Sequence, residues 1–207
     1  TLTHAAETAT GTTLGNEQQR LYLVVSNNLT IASGGRIDVD LKGYDGGSGP
    51  GKGGGWDWGG GHGGAGGKQG VNADVYDAMT NTYGSVTNPV NSGSGDVTAG
   101  DRGGGTVVLR VTGAVTHDGI ITANGAANAV NGRSGGAGGS INLTAASIAG
   151  GGVIRAEGGS GINGGGGGRI AVNLTASDTI PDSVRTNITA YGGNGNSYGI
   201  GAAGTVY

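Results

Sequence analysis

The phrase Gly105-Thr106-Val107-Val108-Leu109-Arg110-Val111 decides the fold, because it comes back. It returns as Gly139-Ser140-Ile141-Asn142-Leu143-Thr144-Ala145 and as Gly168-Arg169-Ile170-Ala171-Val172-Asn173-Leu174. It begins again at Gly204-Thr205-Val206-Tyr207, and a first copy without its glycine reads Arg20-Leu21-Tyr22-Leu23-Val24-Val25. The later copies are spaced unevenly, roughly 30 to 36 residues apart, as expected when insertions fall in loops. A second phrase trails the first: Ile37-Asp38-Val39-Asp40-Leu41, Ile121-Thr122-Ala123-Asn124-Gly125, Ile154-Arg155-Ala156-Glu157-Gly158 and Ile188-Thr189-Ala190-Tyr191-Gly192. Both phrases alternate with a period of two, the spacing of half-buried strands, and neither has helical spacing.

Each coil therefore reads as strand, short turn, strand and a long glycine-rich return. The alternation turns Val107, Leu109 and Val111 inward and Thr106, Val108 and Arg110 outward. Stacked coils form inward ladders: Leu21, Val107, Ile141, Ile170 and Val206; Leu23, Leu109, Leu143 and Val172; Ile37, Ile121, Ile154 and Ile188. One coil cannot bury these residues alone, whereas parallel stacking closes them into one core. The expected fold is all-β: a parallel β-solenoid (β-helix) of about four to five coils. An antiparallel sandwich is disfavoured, because hairpin signals are few and the repeats run in the same direction. One domain, 1–207, is expected, with a long insertion from the first coil at about 44–102.

Glycine accounts for 52 of the 207 residues, against a usual ~7%. There is no Gly-X-Y period, which excludes collagen. Phenylalanine and cysteine are absent, so the core must be narrow and cannot rest on disulfides. The glycine runs 46–67, 132–139, 158–168 and 192–204 recur at one place in the coil. Backbone without side chains can pack at very short range, as at the collagen axis, so these returns are expected to be ordered and packed together. The insertion carries most of the large side chains and is expected to fold over one end or flank of the stack. The chain opens at Thr1 rather than Met, which points to a processed or excised product.

The string Gly35-Arg36-Ile37-Asp38-Val39-Asp40 leading to Gly43-Tyr44 is one marker of a wider pattern. The run 59–67, followed by Tyr83-Gly84-Ser85 and Pro89, is a second, and 164–168 running into Arg169-Ile170-Ala171-Val172 is a third. Together they resemble the glycine-rich parallel β-helix repeat regions of large secreted or surface proteins of microbes, over nearly the whole chain. The resemblance implies the architecture and an extracellular or cell-surface setting, and carries over no catalytic residue. Where the resembled pattern has a small residue and glycine before Lys42, this chain has Asp40-Leu41, which alters the local turn.

The net charge of −3, without a basic stripe, argues against a nucleic-acid partner. No apolar run is long enough to span a membrane. His4, His62 and His117 form no ligand motif, and neither a nucleophile elbow nor a thiol is present. The trio Asp38, Asp40 and Asp45 would suit a calcium ion; a solvated acidic edge is the simpler reading. No other cofactor is expected. Trp56, Asp57 and Trp58 would suit a carbohydrate platform, since flat rings stack on sugar faces; end-capping or pinning the insertion is the plain alternative. Of the sequons Asn28-Leu29-Thr30, Asn142-Leu143-Thr144, Asn173-Leu174-Thr175 and Asn187-Ile188-Thr189, Asn142 points outward in this register and would be open to glycosylation. The outward column Thr106, Ser140, Arg169 and Thr205 is interrupted by arginine, which disfavours ice binding.

The leading functional expectation is a non-catalytic structural or adhesive module of a surface stalk, matrix or fibre. Thr205, Val206 and Tyr207 form an edge open to another chain or to further repeats. The segment 1–15 is the expected partner strand for a neighbour's edge. The alternatives are a polysaccharide-binding module and a polysaccharide-active β-helix enzyme. The enzyme rests on fold analogy alone, with no catalytic constellation behind it.

Overall fold

The computed structural model describes residues 1–54, 58–68, 81–97, 100–127 and 133–207. Strands β1 (Leu21–Val25), β2 (Leu29–Ile31) and β3 (Arg36–Asp38) make the first coil. Strands β4 (Thr106–Val111), β5 (Ala114–His117) and β6 (Ile120–Thr122) make the second, and β7 (Ser140–Ala145), β8 (Ser147–Ala149) and β9 (Val153–Arg155) the third. The fourth has β10 (Arg169–Leu174), the short helix α1 (Asp182–Arg185) and β11 (Ile188–Thr189), and a fifth begins with β12 (Thr205–Val206).

Equivalent strands stack in parallel into three sheets: β1-β4-β7-β10-β12, β2-β5-β8 and β3-β6-β9-β11. The chain is a parallel β-helix. The register is the one the alternation predicts. Leu21 pairs with Val107, Val107 with Ile141, Ile141 with Ile170 and Ile170 with Val206. Ile37, Ile121, Ile154 and Ile188 pair in succession in the second long sheet. The main core cluster is wholly Ile, Val, Leu and Ala, as a narrow interior requires.

The coil differs from the expected two-strand form in its third sheet. The segments between the two phrases are strands, not plain turns, and they send Val115 and Ile148 into the core. Unlike the two phrases, these segments do not return as a recognisable phrase: Leu29–Ile31, Ala114–His117 and Ser147–Ala149 share little but their inward residues. In the fourth coil α1 packs on β8 and buries Val184 there.

The glycine returns are packed against one another, and their hydrogen bonds repeat every third residue. Gly164 and Gly167 donate to Gly199 and Ala202, while Gly165 and Gly168 donate to Gly159 and Ala156. Gly166 between them donates to Gly60. One run thus bonds in rotation to three neighbours, the signature of an extended helix with three residues per turn. A Cβ built on most of these glycines would meet neighbouring backbone inside 3.0 Å.

The 44–102 insertion joins this lattice. Gly64 and Gly67 donate to Gly167 and Gly164, and Gly60 donates to Gly135. Residues 83–92 then cross the outer face of the five-stranded sheet. Ser140 Oγ donates to the Asn91 carbonyl at 2.5 Å, Arg169 Nε to Tyr83 at 2.7 Å, and Asn142 Nδ2 to Asn88 Oδ1 at 2.7 Å. Facing away from the core therefore does not mean facing water. Thr106, Val108, Ser140, Asn142 and Arg169 are all buried.

Candidate functional site: carboxylates, rings and the two ends of the stack

The three candidate calcium ligands do not converge. Asp38 pairs with Arg36 at 3.1 Å, and its Oδ1 accepts the Asp40 amide. Asp40 turns to the next rung and accepts both the backbone and the side-chain nitrogen of Asn124. Burial, and then repulsion from Asp38, push the Asp40 carboxyl above its ordinary range against those hydrogen bonds. Asp45 pairs with Arg102 at 3.3 Å and accepts the amides of Gly46 and Gly100. Among the described residues no group of three or more His, Cys, Asp or Glu is arranged to hold a metal.

Trp56 and Asp57 lie outside the described residues. Trp58 is half-buried, and the Lys68 ammonium sits 4.2 Å from its ring centroid, so a cation already occupies one face. Asn142 corrects the glycosylation expectation. It is fully buried under the insertion, with its Oδ1 accepting from Arg110 and its Nδ2 donating to Asn88.

His62 was legible only as an isolated residue. It sits fully buried between lattice and sheet, its Nδ1 2.8 Å from the Gly138 carbonyl and its ring 4.7 Å from Tyr83. Glu7 was missed altogether. Its carboxylate is buried and accepts four backbone N–H groups, from Thr8, Ala9, Gln18 and Gln19, each at 2.8 Å. Burial works against that charge, but the four donors outweigh it and hold the carboxyl below its ordinary range.

That staple belongs to the N-terminal segment. Residues 1–15 lie on the chain's own first coil. Leu2 bridges Ile37 in parallel, Glu7 donates to Lys42, and Gly49 donates to Gly11. Leu2 thereby adds one rung to the four-stranded sheet below β3.

The edges of the stack are where the ladders emerge. At one end Tyr207 donates to Ile170 and accepts from Val172, and Arg169 Nη1 donates to the Thr205 hydroxyl. Beyond Tyr207, a cleft of about 310 Å3 runs along Val172, Asn173 and Leu174 to Ser177, Asp178 and Ile180. At the other end, among the described residues, β1 has a strand neighbour on one side only. The exposed large apolar side chains gather at these ends: Leu2, Leu14, Tyr22, Val24 and Leu41 in the first coil and the segment preceding it, Tyr191, Tyr198, Ile200, Val206 and Tyr207 in the last. Among the described residues Val86 is the exception.

No helix among the described residues is long and apolar enough to cross a membrane. No family model, no curated protein and no solved structure matches this chain.

Proposed function

We propose that this chain is a non-catalytic structural module that works outside the cell as a building block of a stalk, matrix or fibre. The observation that carries the reading is the gathering of exposed apolar side chains at the two edges where the ladders emerge. A parallel edge accepts another rung by the contact already made between coils, so extension needs no new recognition chemistry. The glycine lattice supports the same reading. It braces the stack from the side mainly by backbone hydrogen bonds, in a chain without cysteine. The extracellular setting rests on the resemblance to glycine-rich surface proteins. Light scattering and negative-stain electron microscopy of the purified chain over a rising concentration series test the proposal. Linear particles that lengthen with concentration are expected; compact monomers at the highest attainable concentration would overturn it.

A further inference from the structure

We infer that the outer face of the four-stranded sheet binds a neutral polysaccharide, with one or two sugar rings lying along the stacking axis in the cleft between Arg36 and Arg155. The site lies on a flank of the stack and away from its ends. It goes beyond the building-block reading and stands without it.

The two long sheets differ on their outer faces. Residues 83–92 cross the five-stranded sheet, whereas among the described residues no hydrogen bond from the insertion reaches the outward side chains of β3, β6 and β9. There a cleft of about 220 Å3 opens over the first three coils. Ile120 and Val153, paired on adjacent rungs, make an aliphatic floor. Arg36 and Arg155 stand exposed diagonally across it, two rungs and so ~10 Å apart along the axis. A polar ladder runs beside the floor. Asn124 donates from its backbone and its side chain to the two oxygens of Asp40, and its own Oδ1 accepts the Glu157 amide. Glu157 Oε1 in turn accepts the Thr189 hydroxyl. These bonds hold the side chains in place before any ligand arrives.

The held groups keep capacity to spare. A carboxylate offers about four lone-pair sites and a side-chain amide nitrogen two protons, so Asp40 and Asn124 can each bond again. Among the described residues, Arg155 makes only a 4.0 Å approach to Glu157, and Arg36 a single bond to Asp38, which leaves most of their N–H groups open. Thr122 lies buried at the base, its hydroxyl facing Asp40 without completing a hydrogen bond. Buried hydroxyls are rarely left so. A pyranose ring matches this set. Its C–H face covers Ile120 and Val153, and its hydroxyls both donate to a carboxylate and accept from guanidinium and amide groups. Charge selects the neutral sugar. The two arginines stand among three carboxylates, Asp38, Asp40 and Glu157, so an anion would meet repulsion beside each cation it could pair with. Side chains already fixed by the ladder lower the ordering cost of binding.

Isothermal titration calorimetry of the intact chain with cellotetraose, xylotetraose and mannotetraose, and with tetragalacturonate as the acidic probe, tests the site. One neutral tetrasaccharide is expected to bind per chain, with an affinity that holds between about 50 and about 500 mM salt, because no net charge is paired. Arg155→Ala should weaken binding about tenfold or more, as loss of hydrogen bonds from a charged donor does. Val153→Arg should abolish it by filling the cleft. Arg185→Ala, which removes an exposed arginine from α1, should change nothing. Circular dichroism melts of each variant separate loss of binding from loss of fold. Binding confined to tetragalacturonate and lost with salt would overturn the inference. So would binding that survives Val153→Arg in a folded chain, or that disappears with Trp58→Ala instead, which would move the site to that ring. No binding of any of the four sugars would overturn it as well. Fibre growth, read separately by light scattering, decides the building-block reading whichever of these results is found.

Discussion

Replacing Gly165 with alanine adds one methyl group where the lattice has no room. The new Cβ would meet the carbonyl oxygen and carbon of Gly136 and the oxygen of Gly135, all backbone atoms and all closer than the 3.0 Å that real Cβ atoms keep. Ordinary contact begins at 3.4 Å, so one of the two runs must move by several tenths of an ångström to more than one. Neither is free to do so. Gly165 donates to Gly159 at 2.8 Å and accepts from Gly193 at 2.8 Å, and Gly136 donates to Ala126 and accepts from Gly159. Overpacking alone costs ~1–3 kcal/mol, and each buried backbone bond that opens adds ~1–3 kcal/mol. About 3–6 kcal/mol is expected, a large part of the ~5–15 kcal/mol that holds a domain together. Gly151 is the matched control: nothing lies within 4 Å of its Cβ position and its φ is not left-handed. There alanine should be neutral or stabilise by ~0.4–1 kcal/mol through the unfolded chain. Urea unfolding followed by circular dichroism compares the two, with hydrogen exchange over 158–168 reporting the lattice itself. If Gly165→Ala fell within ~0.5 kcal/mol of the parent and those amides exchanged at unchanged rates, the reasoning would be refuted.

In the ladder, Leu143→Asp buries an unpaired charge and should cost several kcal/mol, while Asn142→Ala strips partners from Arg110 and Asn88 and should cost ~1–2 kcal/mol; an Asn142→Ala midpoint equal to the parent's would contradict its burial. Leu41 sits at φ 58°, in the left-handed region where the resembled pattern has glycine, so Leu41→Gly should be neutral or raise stability by up to ~1 kcal/mol in the same urea assay, and a clear loss would show that its side chain matters more than its backbone. Burial, with Arg169 adding its charge, pushes the His62 imidazole down to about 4 against the pull of the Gly138 carbonyl. A folded value below the ~6.5 of the unfolded chain means that this contribution is whole above pH ~6.5 and is lost as pH falls toward 4, so the parent should lose more stability between pH 7 and 4.5 than His62→Gln does, and parallel pH curves would count against it.

The ladders were legible because an alternating phrase recurs, over six residues in the strand of Val107, Leu109 and Val111, and in the shorter second phrase through the return of Ile37-x-Val39, Ile121-x-Ala123, Ile154-x-Ala156 and Ile188-x-Ala190. The third sheet has no such phrase. Ser147–Ala149 has room for a single inward residue, Ile148, and one apolar residue between two phrases reads equally well as a turn. The order of the glycine runs followed from their recurrence, but their partners did not, since a residue without a side chain carries no signal of what it faces. The largest error of inference concerned the outer face. Alternation says which way a side chain leaves its strand and nothing about what lies beyond, so Asn142 and Ser140 read as solvent-facing until residues 83–92 are seen to cross them. Glu7 was invisible for a related reason: its partners are backbone amides, two of them more than ten residues away.

The same difference between side-chain and backbone signals explains how a long insertion can interrupt the first coil without breaking the stack. A strand in a sheet has two hydrogen-bonding edges, so the coils can grow only along one axis. A glycine run bonding in rotation to three neighbours can also take in a segment from the side. Gly60, Gly64 and Gly67 enter by that route, tied to Gly135, Gly167 and Gly164. Entry depends on glycine spacing within the run, not on the length of chain on either side of it. Once the run is anchored, residues 83–92 are carried across the five-stranded sheet and hide the outward positions of the repeat, while Ser85, Val86, Thr87 and Asn88 face solvent. On that flank the chemistry shown to water is therefore set by the insertion, and the repeat phrases are released to satisfy packing alone. Change of partner on that flank, under this arrangement, requires substitutions in 83–92 and leaves the ladders untouched.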